Sequence, residues 1–112
     1  MSERWLEYKI QHILEEEGFL VLNPARSKPF DLVAIKNGTV YLIEIKGKKT
    51  RYPKEQYQKQ TEMAHKAECN MVIIRKAKER GKIIFSMPIK YDRYLPIKKA
   101  LQKHYKIIEG YP

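Results

Sequence analysis

The dipeptide Asn37-Gly38 constrains this chain more than any other feature. It separates two apolar runs, Phe30–Lys36 (FDLVAIK) and Thr39–Lys46 (TVYLIEIK). A two-residue connection between antiparallel strands favours a type I′ turn, whose two central residues both take positive φ, and Asn-Gly suits that geometry. With Asn37 and Gly38 as the loop, Lys36 faces Thr39, Val33 faces Leu42 and Asp31 faces Glu44. Directly opposed residues point to the same side of a sheet, with Cβ atoms roughly 4.5–5.5 Å apart. Lys46, two residues beyond Glu44, projects from that side too. The turn therefore predicts two carboxylates and an ammonium at one end of one sheet face, beside Val33 and Leu42.

Two opposed carboxylates repel, and desolvation sharpens the repulsion. One way to keep both inside apolar strands is a divalent cation, and Mg²⁺ is commonly held by one or two carboxylates while retaining several waters. Lys46 beside them suits the orientation of water or the stabilisation of phosphoryl charge. Together the three groups make a phosphodiester hydrolysis site. The competing reading, surface salt bridges from Asp31 and Glu44 to Lys28 and Lys46, accounts for neither the cross-strand register nor the Glu-x-Lys spacing.

Around the hairpin, Ser2 as N-cap and Gly18 as stop bracket a helix over Glu3–Glu17, with Leu6, Ile10, Ile13 and Leu14 on its buried side. Glu7 falls about 20° from Leu14 on a helical wheel, at the rim of that apolar face. Phe19–Leu22 is a short strand. Pro53 opens a second helix that runs to about Glu68, and Met71–Ile74 and Ile83–Phe85 are strands flanking a polar turn, Lys78–Lys82. Pro96–Ile108 is expected to be a third helix, with Ile97, Leu101, His104 and Ile108 along one side. The order of elements implies an α/β (α+β) fold with a mixed sheet of about five strands flanked by helices. At 112 residues the chain is expected to form one domain, 1–112, with a core spanning about 2–87 and a helical C-terminal segment 88–112.

Charge narrows the partner. The chain carries 23 Lys+Arg against 13 Asp+Glu, a net charge of +10, so a polyanion is the natural ligand. The basic residues lie largely in loops and at strand ends: Lys46, Lys48, Lys49, Arg51 and Lys54, then Arg75, Lys76, Lys78, Arg80 and Lys82. An anionic membrane would instead call for a basic amphipathic helix. No run approaches the roughly 20 apolar residues of a membrane span, and the start lacks a signal-peptide stretch, so a cytoplasmic location is expected. The single cysteine, Cys69, cannot form an internal disulfide, and no nucleophile motif surrounds it.

Asp31 followed thirteen residues later by Glu44-Ile45-Lys46 resembles the D…ExK signature of the PD-(D/E)xK nucleases. Over roughly residues 5–76 the chain is most similar to the archaeal Holliday junction resolvases of the Hjc type. The likeness rests on Glu7 eleven residues before Gly18-Phe19, on Ser27-Lys28 ahead of the aspartate, on DLVAIKNGTVYLIEIK, and on Glu55-Gln56 opening the second helix. It implies a restriction-endonuclease-like core in which Glu7, Asp31 and Glu44, with the Ile45 carbonyl, bind Mg²⁺ (Mn²⁺ substituting) and Lys46 positions the attacking water. It further implies a homodimer that makes paired nicks in four-way DNA junctions and leaves 5′-phosphates. DNA contacts are expected from Arg26, Ser27, Lys28, Lys48, Lys49, Arg51, Arg75 and Lys76. Relatives often carry Arg where this chain has Tyr8 and Asn23, and phenylalanines where it has Met63 and Ala67.

Two rival functions stand beside resolution of junctions. One is another nuclease of the superfamily, virus-type or restriction-like, acting on flaps, ends or duplex. The other is a non-catalytic DNA-binding module, against which acidic groups beside phosphates argue. Gln56 and Gln60, one helical turn apart, are read as ordinary helix residues, with a place near the site as the alternative. Tyr52, Tyr57, Tyr91 and Tyr94 are assigned to packing before base stacking. His12, His65 and His104 have no ligand spacing.

Overall fold

The computed structural model describes residues 4–24, 29–91 and 96–110. Its elements run α1 (Arg4–Glu16), β1 (Leu20–Leu22), β2 (Leu32–Lys36), β3 (Thr39–Lys46), α2 (Lys54–Ala67), β4 (Asn70–Lys76), β5 (Lys82–Ile89), α3 (Pro96–Gln102) and β6 (Lys106–Glu109). The strands form one sheet in sequence order. β1, β2 and β3 make an antiparallel meander, β4 lies parallel to β3, β5 antiparallel to β4, and β6 parallel to β5. Each parallel pair needs a crossover, and α2 and α3 supply the two. Among the described residues no helix is long and apolar enough to cross a membrane.

The hairpin forms as its turn dictates. Asn37 and Gly38 take φ of 51° and 81°, and the ladder pairs Lys36 with Thr39, Val33 with Leu42 and Leu32 with Ile43. β2 begins two residues later than the apolar run FDLVAIK. At that end the Asp31 N–H donates to the Ile43 carbonyl (3.0 Å), and the Asp31 carboxylate accepts the Ile45 N–H (2.7 Å). A side chain thus takes over from the backbone ladder just where the acid is presented.

The sheet buries both faces unequally. Leu32, Ala34, Tyr41, Ile43, Ile45, Val72, Ile74, Ile83 and Phe85 pack under α1 and α3, against Leu6, Ile10, Ile13, Leu14, Ile97, Ala100 and Leu101. Each buried Leu, Ile, Val or Phe among them contributes roughly 1.5–3 kcal/mol. The opposite face holds a smaller cluster, Phe30, Ala64, Met71 and Ile73, flanked by Leu42, Tyr52, Tyr57 and Ile89 under α2.

The expectations for the C-terminal segment are corrected. The third helix ends at Gln102 instead of reaching Ile108, and the sheet has six strands instead of about five. The Tyr105 N–H turns back to the Leu101 carbonyl (2.9 Å) and the Lys106 N–H donates to the Gly81 carbonyl (2.9 Å). Ile107 and Ile108 then pair with Ile83 and Ile84 on the free edge of β5. β-branched residues beside an unpaired strand edge gain more from the ladder than from another helical turn. The C-terminal segment also belongs to the main core, through Ile97, Ala100, Leu101 and Tyr105, so that core extends well past residue 87.

Candidate active site

The site lies where β3 ends beside β4, on the face covered by α2. Leu42 packs in the α2 cluster, and alternation along β3 puts Glu44 and Lys46 on the same side. Both are buried, at 5% and 6% exposure, and the Lys46 ammonium is 3.1 Å from Glu44 Oε2. Burial is the main cause that pushes the Glu44 carboxyl up to about 7, and the charge of Asp31 adds to it, while Lys46 and Gln60 pull the other way. Asp31 is half-buried at the start of β2. The acids are thus brought together as the turn predicts, with the lysine beside them.

α2 closes the site from above through residues that sequence reasoning set aside as ordinary. Gln56 accepts from the Lys46 ammonium at Oε1 (3.1 Å) and donates from Nε2 to Glu44 Oε2 (3.3 Å). One turn on, Gln60 Nε2 donates to Glu44 Oε1 (2.9 Å) and to the Pro29 carbonyl (2.6 Å). The Tyr52 hydroxyl donates to Gln60 Oε1, and the Tyr52 ring lies under the Lys46 ammonium, 4.6 Å from its centroid. Burial, with the Glu44 charge adding, pushes the Tyr52 phenol well above the ordinary tyrosine range. One signal was present in the sequence: Gln56, Gln60 and Ala64 recur every fourth residue, which is one helical stripe, and α2 buries Gln60 and Ala64. A stripe that buries an amide beside an alanine is turned toward polar partners.

Glu7 is placed differently. It is half-buried on α1, which packs on the sheet face opposite Glu44. Among the described residues no three His, Cys, Asp or Glu side chains come together as a ligand set, so Glu7 is not gathered with Asp31 and Glu44. The donor chemistry that remains, two carboxylates with one held near neutrality by burial and by the other's charge, fits a hard dication, whose charge would favour both ionised forms.

The basic loop between β3 and α2 follows directly on Lys46. Lys48, Lys49 and Arg51 are exposed there. Arg75, at the end of β4, donates from Nη1 to the carbonyls of Gly47 (2.9 Å) and Thr50 (2.6 Å), so it braces the loop that carries the three cations. Lys76 is half-buried at the same strand end. Arg26, Ser27 and Lys28 lie outside the described residues.

Comparisons with known proteins bear on the family and the fold. The family model for the archaeal Holliday junction resolvase (Hjc) matches residues 3–108. Among solved structures, Hjc of Archaeoglobus fulgidus, a Holliday junction resolvase from an archaeal hyperthermophile, is similar with a TM-score of 0.59 and 24% identity, over 71% of each chain. No curated protein matches. A family match across nearly all of the chain, on a mixed sheet of the restriction-endonuclease kind, leads to one conclusion: the chain belongs to the archaeal Holliday junction resolvase (Hjc) family, and with it to the PD-(D/E)xK nucleases.

Proposed function

We propose that this chain is an Mg²⁺-dependent endonuclease that resolves four-way DNA junctions in the cytoplasm, with Asp31, Glu44 and Lys46 as its catalytic residues. The observation that carries the proposal is the pairing of Asp31 with a buried Glu44, whose carboxyl is pushed up to about 7, beside the Lys46 ammonium, from which a basic loop leads on. Asp31, Glu44 and the Ile45 carbonyl would hold the ion, with Mn²⁺ substituting, and Glu7, on the other face of the sheet, is left out of this set. Bound there, the ion would supply Lewis-acid charge for phosphodiester hydrolysis. Lys46, held between Glu44 and Gln56, orients the attacking water and stabilises charge on the phosphoryl oxygens. Lys48, Lys49 and Arg51, with Arg26, Ser27, Lys28, Arg75 and Lys76, hold backbone phosphates, which fixes position without reading sequence.

Symmetric nicking of a junction requires two active sites, and the exposed apolar surface supports a homodimer. Leu20 and Leu22 of β1 are 59% and 47% exposed and pair with Ile35 and Val33, which pair in turn with Val40 and Leu42. Opposed residues share a side, so exposed Leu20 and Leu22 and half-buried Val33, Ile35 and Val40 make one aliphatic area on the α2 face, next to Leu42 of the α2 cluster, and α2 itself lies over β4 and β5.

Purified protein should nick a synthetic four-way junction with Mg²⁺ and stop on addition of EDTA, and flap, duplex and single-stranded substrates should be cut more slowly. Asp31→Asn and Glu44→Gln should bind the junction and leave it intact. Cleavage retained by either variant would refute the assignment.

A further inference from the structure

We infer that Gln60, locked in place by Tyr52, is a positioning residue that sets both acids for metal binding: its side-chain amide spans Glu44 and the segment that delivers Asp31. The inference rests on the metal site proposed above. Gln60 is only 2% exposed, and a buried amide is tolerated when its polar atoms are matched. Here they are. Nε2 gives one bond to Glu44 Oε1 (2.9 Å) and one to the Pro29 carbonyl (2.6 Å), and Oε1 accepts from the Tyr52 hydroxyl.

The partners dictate which way the amide points. The Pro29 carbonyl can only accept, and so can Glu44 once it is ionised, so the NH₂ end must face them. The Tyr52 hydroxyl, kept protonated by burial, is a donor to the other end. The flipped amide would set its oxygen against two acceptors and its NH₂ against a donating hydroxyl. Tyr52 therefore acts on Glu44 through Gln60, while its ring face carries the Lys46 ammonium.

The second arm of the amide extends the effect to Asp31. Pro29 lies two residues before Asp31, so one NH₂ group ties β3 to the turn that opens β2. The separation of the acids is then held by an amide on α2 as well as by the hairpin. Gln56 differs, because it is half-buried and bonds Lys46 as well as the other Glu44 oxygen. A purely structural role for Gln60 predicts lost stability with unchanged affinity for the ion. A positioning role predicts weaker binding of the ion to the folded protein, because groups that orient ligating carboxylates are typically worth 10–100-fold in metal affinity.

The test is Mn²⁺ binding to the full-length protein without DNA, read by electron paramagnetic resonance of the free ion, alongside thermal unfolding. The series is the parent, Glu44→Gln, Gln60→Met, Tyr52→Phe and the double variant Gln60→Met/Tyr52→Phe. Gln60→Met should weaken Mn²⁺ binding by about 10–100-fold, with a smaller loss for Tyr52→Phe. The double variant should match Gln60→Met alone, since residues acting in series are not additive. Tyr52→Phe keeps the ring and removes only the hydroxyl, so it answers the question even if Gln60→Met fails to fold. Dissociation constants within about twofold of the parent for the variants that fold, with Glu44→Gln abolishing binding, would overturn the inference and leave the site intact. Additive losses would overturn the route from Tyr52 through Gln60. A parent that binds no Mn²⁺ would overturn the site and the inference together.

Discussion

At the scale of single residues, Glu44 carries a consequence for stability. Its carboxyl is raised from 4.5 to about 7, first by burial and then by Asp31. Between those values the folded chain keeps a proton there that the unfolded chain has released, so stability falls as pH rises through the interval. The full effect, up to about 3 kcal/mol, is reached above the folded value. Metal-free protein should therefore melt at a lower temperature at about pH 8 than at about pH 5, and Mg²⁺ should restore most of the difference at the higher pH. Glu44→Gln should flatten that dependence, as thermal unfolding in EDTA across the range would show. Lys46→Met should leave junction affinity close to the parent's and lower the cleavage rate by about 10²-fold or more, which single-turnover kinetics would separate from binding.

At the scale of elements, the hairpin turn is the most exposed to substitution. Gly38 sits at φ 81°, and no heavy atom lies within 4 Å of the place a Cβ would take there, so Gly38→Ala should cost backbone strain and no clash. The expected loss is roughly 1–2 kcal/mol in denaturant unfolding. This same element was the most legible in the sequence, because Asn37-Gly38 admits few turn types and one register follows from it. The helix α1 was legible too, through Leu6, Ile10, Ile13 and Leu14. The end of α3 was not. Leu101 and Ile108 are compatible with one helical side, and only the free edge of β5, a tertiary feature, explains why Ile107 and Ile108 are extended. Gln60 reads in the sequence as an ordinary helix residue, with a place near the site only as the alternative, and Tyr52 as a packing residue, for a related reason: a glutamine in a helix is ordinary until its helix is laid over a carboxylate.

At the scale of the whole molecule, a net charge of +10 suits a polyanionic partner, and in the proposed function the loop after β3 would direct it. Each phosphate contact removed should reduce the slope of log affinity against log salt by about 0.9. The triple variant Lys48→Ala/Lys49→Ala/Arg51→Ala should therefore bind junctions with a visibly shallower salt dependence in titrations at several ionic strengths. Pairing of two copies belongs to this scale as well. Leu20→Glu/Leu22→Glu should shift the solution mass to that of one chain and turn paired nicking into single nicks, while leaving metal binding unchanged. The bracing of the basic loop by Arg75 bears on how quickly that encounter is completed. A segment already fastened at two carbonyls would have little wandering left to give up on meeting a phosphate, so in the proposed function contact and commitment to the strand would nearly coincide.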